Sequence, residues 1–123
     1  MPRLENRVVL LSGGASGIGA ETARLVVREG GKAVVADRDE VKGRALAAEL
    51  GAAAHFVALD VTQEASWQAA VAATVEKFGA LHGLLNAAGV GVRNTIEGCT
   101  LDEYRRVNDI NSLGTFLGCK LAI

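Results

Sequence analysis

Four short and almost continuously apolar segments recur along the chain, and a segment with helical periodicity follows each of them. The apolar segments cover residues 7–12, 32–37, 55–60 and 82–88. Apolar runs without polar alternation are typical of strands that are buried on both faces of a sheet. Because parallel strands need a crossover connection, the alternation predicts a parallel, doubly wound sheet with helices on both faces.

The helical segments carry apolar residues at helical spacing, and glycines follow the first three of them. The predicted buried stripes of these three helices are, in chain order, Ile18, Thr22, Leu25 and Val26; Val41, Ala45 and Ala48; and Trp67, Val71, Thr74 and Phe78. Helices commonly end at glycine, so we expect them to end at Gly30, Gly51 and Gly79. A fourth helix is predicted to begin at Thr100, where Glu103 follows at capping-box spacing, and to continue to the last residue.

A glycine-rich turn, "SGGASGIG" at residues 12–19, lies between the first predicted strand and the first helix. A helix N-terminus offers unpaired N–H groups and the positive end of the helix dipole, which a diphosphate can reach if no side chain blocks it. We expect Gly13 to form the tight turn, Gly17 to allow close approach to a diphosphate, and Gly19 to let the helix pack against the strand. A glycine turn that binds no ligand is the alternative.

Asp37 ends the second predicted strand, eighteen residues after Gly19. In dinucleotide-binding folds an acidic residue near this distance accepts hydrogen bonds from the adenosine ribose. The alternative is an N-cap for the following helix. The ribose role predicts a preference for NAD over NADP, because the additional phosphate of NADP would face the carboxylate. Arg38 beside it could recover part of that cost by binding the phosphate.

Composition and charge narrow the classes of partner. The chain has 123 residues, of which 50% are hydrophobic, and a formal net charge of -1, which fits one domain covering residues 1–123. Scattered charges give no electrostatic footprint for nucleic acid, and no apolar segment is long enough to span a membrane. We expect a small-molecule partner and a cytoplasmic location. Cys99, Cys119, His55 and His82 show no metal-ligand spacing, so no metal site is predicted.

Taken together, these motifs resemble those of the short-chain dehydrogenase/reductase family. The turn at 12–19 is similar to the family's Thr-Gly-x-x-x-Gly-x-Gly turn, with Ser12 in place of threonine. "LDV" at 59–61 resembles its adenine-contact site, "NAAG" at 86–89 its Asn-Asn-Ala-Gly motif, and "DIN" at 109–111 the stretch that carries its tetrad asparagine. The resemblance, which looks closest to hydroxysteroid and related alcohol dehydrogenases, implies a Rossmann-type fold and NAD-dependent hydride transfer with an alcohol or ketone.

The resemblance also implies a role for each matching position. It places Asp60 on the adenine amino group and Asn111 in the catalytic tetrad, where it holds a water that relays protons. An amide that merely bonds a neighbouring backbone group is the alternative for Asn111. The cofactor-binding residues predicted from the turn, Asp37 and the resemblance are Gly13, Ser16, Gly17, Ile18, Gly19, Asp37, Asp60, Val61, Asn86, Ala87, Ala88 and Gly89. The family also pairs its fourth helix across a dimer interface, which implies a homo-oligomer.

The sequence departs from the family's pattern in two places. Ala87 replaces the second asparagine of the usual motif, while the first, Asn86, is kept. The only tyrosine, Tyr104, is followed four residues later by Asn108 instead of the lysine of Tyr-x-x-x-Lys, so we expect it to pack on the fourth helix. The resemblance therefore implies the amino-terminal half of such an enzyme, truncated after its fourth helix and inactive alone. A non-catalytic dinucleotide-binding module and an interaction protein that uses the fourth helix are the alternatives.

Overall fold

One sheet of four parallel strands organises the protein. The computed structural model describes residues 2–123, and its strands are β1 (Val8–Ser12), β2 (Lys32–Asp37), β3 (Ala54–Ala58) and β4 (Gly83–Asn86). Every pairing between neighbouring strands is parallel, and the strand order is β3-β2-β1-β4. The four predicted strands and their parallel arrangement are therefore confirmed.

The helices follow the strands as the periodicity predicts, with one interruption. They are α1 (Gly17–Arg28), α2 (Glu40–Leu50), α3 (Glu64–Phe78), α4 (Leu101–Asn108) and α5 (Gly114–Ala122). The predicted capping box of the fourth helix is present, because the Glu103 N–H donates to Thr100 Oγ1 at 3.1 Å. A π-helical segment, Asp109–Leu113, then separates α4 from α5. The single fourth helix predicted from the sequence is therefore two α-helices joined by a wider turn.

Strand order reverses once, between β1 and β4. The chain steps from β1 to β2 to β3 and then returns to place β4 on the other side of β1. In doubly wound sheets, ligands bind at the carboxyl ends of the strands where the order reverses. Within residues 2–123 only β1 pairs with β4, and all four residues of β4 are partly buried. The expectation of a fully buried fourth strand is wrong, since β4 is an edge of the described sheet.

Each face of the sheet is covered by a separate hydrophobic core. Leu10 and Leu11 are neighbours in β1, point to opposite faces and are both fully buried. One core packs α1 and α2 on the sheet and includes Leu11, Ala23, Val26, Val35 and Leu46. The other packs α3 and α5 on the sheet and includes Leu10, Val34, Trp67, Ala70 and Leu117. This two-sided burial explains why β1 and β2 are apolar without alternation.

The buried faces of α1 and α2 differ from the predicted stripes. Ile18 is 79% exposed and Val41 is 83% exposed. The core-facing residues are small for the most part: Gly19, Ala20, Ala23 and Val26 in α1, and Gly43 and Leu46 in α2. A β-carbon at Gly43 would overlap the Phe56 ring, so the helix lies too close to the sheet for a larger residue. The α3 stripe is confirmed, with Trp67 fully buried.

His82 lies where β4 begins and extends its pairing with β1. The Val8 N–H donates to His82 Nδ1 at 2.9 Å, and the His82 N–H donates to the Val8 carbonyl at 2.8 Å. Among residues 2–123, no group of three His, Cys, Asp or Glu side chains is arranged to hold a metal. None of the helices in that range combines the length and the apolar composition needed to cross a bilayer.

Candidate functional site

A cavity of about 400 Å³ opens at the carboxyl edge of the sheet, beside the point where strand order reverses. Its lining brings together ten of the twelve predicted cofactor-binding residues: Gly13, Ser16, Gly17, Ile18, Asp37, Asp60, Val61, Ala87, Ala88 and Gly89. The other two, Gly19 and Asn86, lie outside the lining. Motifs that are far apart in the sequence therefore face a common space.

Gly13 is the point at which the glycine turn meets the segment after β4. Its φ of +65° is a conformation that side-chain-bearing residues rarely adopt. A β-carbon at Gly13 would lie 2.6 Å from the Ala88 nitrogen, too close for any side chain. The Ala87 N–H also donates to the Ser12 carbonyl at 3.1 Å. The tight turn predicted at Gly13 is confirmed, and it sets the distance between the two motifs.

Gly17 begins α1 and leaves open space in front of it. Its φ is +54°, and apart from its chain neighbours and the nearby backbone of α1, no described atom lies within 4 Å of the position that a β-carbon would take. Ser16 is the N-cap residue of α1, and its side chain makes no capping hydrogen bond. The first turn of α1 contains no acidic residue to offset the positive end of the dipole. This helix end therefore offers room and N–H groups to an anionic ligand that enters the cavity.

Gly19 supports the turn from behind. It is buried, and a β-carbon there would overlap the Gly13 carbonyl. Gly19 therefore allows α1 to lie close against the glycine turn that directly follows β1, and α1 shares a core with Leu11 of that strand.

Asp37 joins the end of β2 to the glycine turn. The Ala15 N–H donates to Asp37 Oδ2 and the Asp39 N–H donates to Asp37 Oδ1, each at 3.0 Å. The N-cap of α2 is Asp39, whose side chain accepts from the Lys42 N–H at 3.0 Å. The N-cap alternative for Asp37 is therefore wrong. The Asp37 carboxylate lies in the cavity lining with an orientation fixed by two backbone donors.

Asp60 lies just beyond β3 and lines the same cavity. Thr62 donates to Asp60 Oδ1 twice, from its hydroxyl at 2.7 Å and from its N–H at 3.0 Å. The Thr62 hydroxyl and N–H, together with the charge of Arg38, lower the pKa of the Asp60 carboxyl. Hydrogen bonds that favour the ionised form keep this group an acceptor at neutral pH.

Val61 connects the cavity to the core beneath α5. Its carbonyl accepts a hydrogen bond from the buried Trp67 Nε1–H at 2.9 Å. Its side chain packs on Gly114, where a β-carbon would lie 2.9 Å from Val61 Cγ2. The absence of a side chain at Gly114 therefore allows α5 to begin directly against Val61.

Asn111 lies in the π segment and bonds both polar groups of one backbone residue. The Val90 N–H donates to Asn111 Oδ1, and Asn111 Nδ2 donates to the Val90 carbonyl, each at 2.8 Å. This pairing is what the alternative interpretation predicts, although the Asn111 side chain is exposed. Val90 and Ile110 line the cavity, so the amide fixes the wall beside it. The tetrad role of Asn111 stays a prediction, and π segments are frequent at functional sites.

Asn86 and Tyr104 lie away from the cavity, whose lining also leaves out Gly19 and Asn111. Asn86 packs on α5: its Nδ2 donates to Cys119 Sγ at 3.6 Å, and a β-carbon at Gly118 would lie 2.6 Å from Asn86 Oδ1. Its contact with a cofactor stays a prediction. Tyr104 is 61% exposed, so the expected packing on the fourth helix is wrong. None of the described residues covers the face of α4 on which Tyr104 lies, since α4 has no buried residue.

Sequence reasoning missed two cavity residues on the fourth helix. Arg106 and Ile110 are four residues apart and both line the cavity. Residues four apart lie on the same face of a helix, so Arg106 and Ile110 share a face. Asn111 follows Ile110 directly and lies on a neighbouring face. That spacing was visible in the sequence, but only the fold brings α4 over the carboxyl edge of the sheet. Arg38 and Val90 also line the cavity beside predicted residues.

The strand order, the glycine turn before α1 and the carboxylates after β2 and β3 define a Rossmann-type α/β domain with its cavity at the reversal point. Residues 7–123 match the family model described as short chain dehydrogenase. The chain belongs to the short-chain dehydrogenase/reductase family.

Individual relatives agree with this assignment. A 3-alpha-(or 20-beta)-hydroxysteroid dehydrogenase from Mycobacterium tuberculosis is 48% identical over 121 residues, which cover 98% of this chain and 46% of that protein. A 3-beta-hydroxysteroid dehydrogenase from Comamonas testosteroni is 40% identical, with coverage of 98% and 48%. The solved structure of a 3-ketoacyl-(acyl-carrier-protein) reductase from Brucella melitensis complexed with NADH has a TM-score of 0.92 and 36% identity, and the match covers 94% of this chain and 48% of that one. The chain spans about half the length of the curated relatives it matches.

Proposed function

We propose that this chain is the NAD-binding part of a short-chain oxidoreductase that transfers a hydride between the cofactor and a small alcohol or ketone. The open space in front of Gly17, at the N-terminus of α1 and inside the cavity, is the observation that carries the proposal. A bound nicotinamide dinucleotide would accept or supply the hydride. Membership in an oxidoreductase family and the NADH-bound relative support this function.

The residues of the cavity fit the parts of such a cofactor. Gly17 and the free N–H groups of α1 would hold the diphosphate, which needs donors and close access to the backbone. Asp37 would accept from the adenosine ribose, and Asp60 from the adenine amino group. Gly89 and Val90, after β4, would form the wall at the other end. Asn111 would act as the tetrad asparagine beside that wall.

We expect Asp37 to give the cavity a preference for NAD over NADP. Its carboxylate is fixed by two backbone N–H groups, so the additional phosphate of NADP would meet an anion that cannot turn away without losing them. Such repulsion costs several kcal/mol, and discrimination of roughly a hundredfold in favour of NAD follows. Arg38, also in the lining, reduces this margin if it binds the phosphate.

Calorimetric titration of the chain with NAD and with NADP tests this assignment. We expect Asp37→Ser to lose NAD affinity and gain NADP affinity. Asp37→Asn is the matched control, because it keeps the size and one acceptor while it removes the charge, and it should give an intermediate ratio. Equal affinity of the unsubstituted chain for both cofactors would contradict the role of Asp37.

We propose that catalytic turnover requires the family's Tyr-x-x-x-Lys motif in addition to the residues of this chain. Transfer of the hydroxyl proton needs a group whose pKa is shifted toward neutrality by a nearby cation, and Tyr104 has Asn108 where that lysine would be. We expect the 123-residue chain to bind NAD without oxidising alcohols. Sustained alcohol-dependent NADH formation by the purified chain would contradict this.

Self-association is the second part of the proposal. Leu101, Tyr104 and Phe116 are 60%, 61% and 59% exposed. They lie on α4 and α5, the two parts of the predicted fourth helix, which the family pairs across a dimer interface. We propose that a second copy covers these residues. Phe116→Ser should lower the mass measured by light scattering at high concentration, whereas a monomeric unsubstituted chain would contradict the proposal. The cytoplasmic location stays a prediction.

A further inference from the structure

Arg106 is a charged residue of the cavity lining that forms no ion pair with any of residues 2–123. It lies on α4, one helical turn before Ile110, which lines the cavity too. Asp102 and Glu103 precede Arg106 by four and three residues, the spacings at which ion pairs form along a helix. The Arg106 side chain lies at the cavity although these carboxylates are near it in the sequence.

Two other helix arginines do pair with a carboxylate of their own helix at these spacings. Arg44 follows Glu40 by four residues in α2, and their side chains are 3.3 Å apart. Arg24 in α1 pairs with Glu21, three residues before it. Both pairs are partly or fully exposed to solvent, as α4 is. Exposed arginines of this protein therefore form such pairs, and Arg106 differs from them by lying at the cavity.

The remaining charged residues of the lining interact with other groups of the protein. Asp37 accepts hydrogen bonds from two backbone N–H groups. The Thr62 hydroxyl and N–H, and then the charge of Arg38, lower the pKa of Asp60, so Arg38 lies close enough to this carboxylate to interact with it. Arg106 is thus the cation of the lining that is available to an anion entering the cavity.

We propose that Arg106 binds a phosphate group of the dinucleotide, and so adds a cation from α4 to the N–H groups at the start of α1. The inference rests on the proposed function, since the cavity must first accept the dinucleotide. A guanidinium presents paired N–H donors in a plane, which match two oxygens of one phosphate. The phosphate is either part of the diphosphate, which NAD and NADP share, or the additional phosphate of NADP.

Calorimetric titration of Arg106 variants with NAD and NADP tests the inference. We expect Arg106→Gln to weaken binding about fivefold, as the loss of one exposed ion pair would, and to make binding less sensitive to salt. Arg106→Lys should retain most of the affinity, because it keeps the charge. Arg105→Gln is the matched control: it removes the same charge from the neighbouring position, which is exposed and lies outside the cavity lining, and it should leave the affinity unchanged.

The choice of ligand identifies which group Arg106 contacts. Equal losses of affinity for NAD and NADP in Arg106→Gln would assign the contact to the diphosphate, and a loss confined to NADP would assign it to the additional phosphate. Adenosine, which has no phosphate, separates both contacts from one with the base or the ribose. We expect Arg106→Gln to leave the affinity for adenosine unchanged, and an equal loss for adenosine would overturn the inference.

The outcomes separate this inference from the proposed function. Binding of neither dinucleotide by the unsubstituted chain would overturn both. Binding of the dinucleotides that Arg106→Gln leaves unchanged, or that Arg105→Gln weakens equally, would overturn the inference alone. Because α4 has no buried residue, we expect the variants to unfold at the same urea concentration as the unsubstituted chain, which attributes a loss of affinity to the lost contact and not to unfolding.

Discussion

The two walls of the cavity are built in different ways. The turn wall, residues 13–19 and 87–90, is fixed by backbone packed on backbone, as at Gly13 against Ala88. The arm wall, residues 101–122, has no buried residue in α4 and is attached through α5, where Gly114, Leu117 and Gly118 are buried. The position of the turn wall is thus fixed by the packing of the core. The other depends on a few close contacts and on the pairing of Asn111 with Val90.

This difference predicts how the two walls respond to substitution. Changes in the turn wall should affect the stability of the whole domain, because they disturb backbone that the core positions. Changes in the arm wall should affect stability only where α5 meets the core, and otherwise should loosen the cavity locally. The following predictions test that division, from the largest effect to the smallest.

Gly13→Ala should cause the largest loss of stability. Alanine would adopt an unfavourable φ and would also place its β-carbon 2.6 Å from the Ala88 nitrogen, so we expect the free energy of unfolding to fall by about 3 kcal/mol or more. Urea unfolding followed by Trp67 fluorescence measures this. Gly17→Ala is the control, since it has positive φ but open space, and should cost about 1 kcal/mol. Equal losses would show that backbone packing does not fix the turn wall.

Gly118→Ala should lower the free energy of unfolding by disturbing the contact between α5 and the core. The new methyl group would lie 2.7 Å from the Trp67 ring and 2.6 Å from Asn86 Oδ1, and overpacking of this kind costs about 2 kcal/mol. The same unfolding measurement applies. Lys120→Ala on the same helix breaks an exposed ion pair with Glu64 and should cost less than about 1 kcal/mol. A neutral Gly118→Ala would mean that α5 is not held by this contact.

Asn111→Ala should loosen the cavity without unfolding the domain. It removes two hydrogen bonds to Val90, and because the Asn111 side chain is exposed we expect a loss of about 1 kcal/mol or less in unfolding free energy. Hydrogen exchange of the Val90 amide should accelerate clearly. Asn108→Ala removes only a bond to the Tyr104 carbonyl and should leave that amide protected. Unchanged exchange at Val90 in the Asn111 variant would contradict the proposed link between the walls.

The smallest effect concerns the pH dependence of stability at Asp60. Its pKa is lowered in the folded chain, first by the Thr62 hydroxyl, so this carboxyl stabilises the fold above its unfolded pKa, and the contribution is lost as pH falls through the lowered value. Thr62→Val should raise the pKa of Asp60 toward its ordinary range and weaken this acid dependence. Titration of the carboxyl carbon by NMR measures the shift. If the pKa of Asp60 stays low in Thr62→Val, the Thr62 hydroxyl is not the main cause of the lowered pKa.

The sequence alone predicted the sheet and the turn wall well, because both follow from local patterns. Continuous apolar runs specify strands between two cores, and Gly13 and Asp37 mark the turn that the cavity uses. The buried faces of α1 and α2 were predicted only in part: Val26 is buried as expected, whereas Ile18 and Val41 are exposed. A search for large apolar side chains finds Ile18 and Val41, whereas the sheet is contacted by small residues such as Ala23 that allow close approach.

The arm wall was harder to predict, because its position depends on contacts between distant segments. Nothing local shows that Arg106 and Ile110 would reach the cavity, since that follows from Gly114 and Gly118 packing on Val61 and Trp67. The π segment likewise has no simple sequence signal. The pairing of Asn111 with Val90 shows that one side chain can match both a family motif and an ordinary backbone contact.

The central claim is that the cavity binds a nicotinamide dinucleotide along the turn wall and the adjoining carboxyl ends of β2 and β3. Titration of the ¹⁵N-labelled chain with NAD, followed by amide chemical shifts, tests it most directly. We predict saturable shifts at the amides of Gly13, Gly17, Asp60 and Gly89, which line the cavity or begin α1, with little change at Lys120 on the outer side of α5. An absence of shifts at millimolar NAD, or shifts confined to the exposed residues of α4 and α5, would contradict the account.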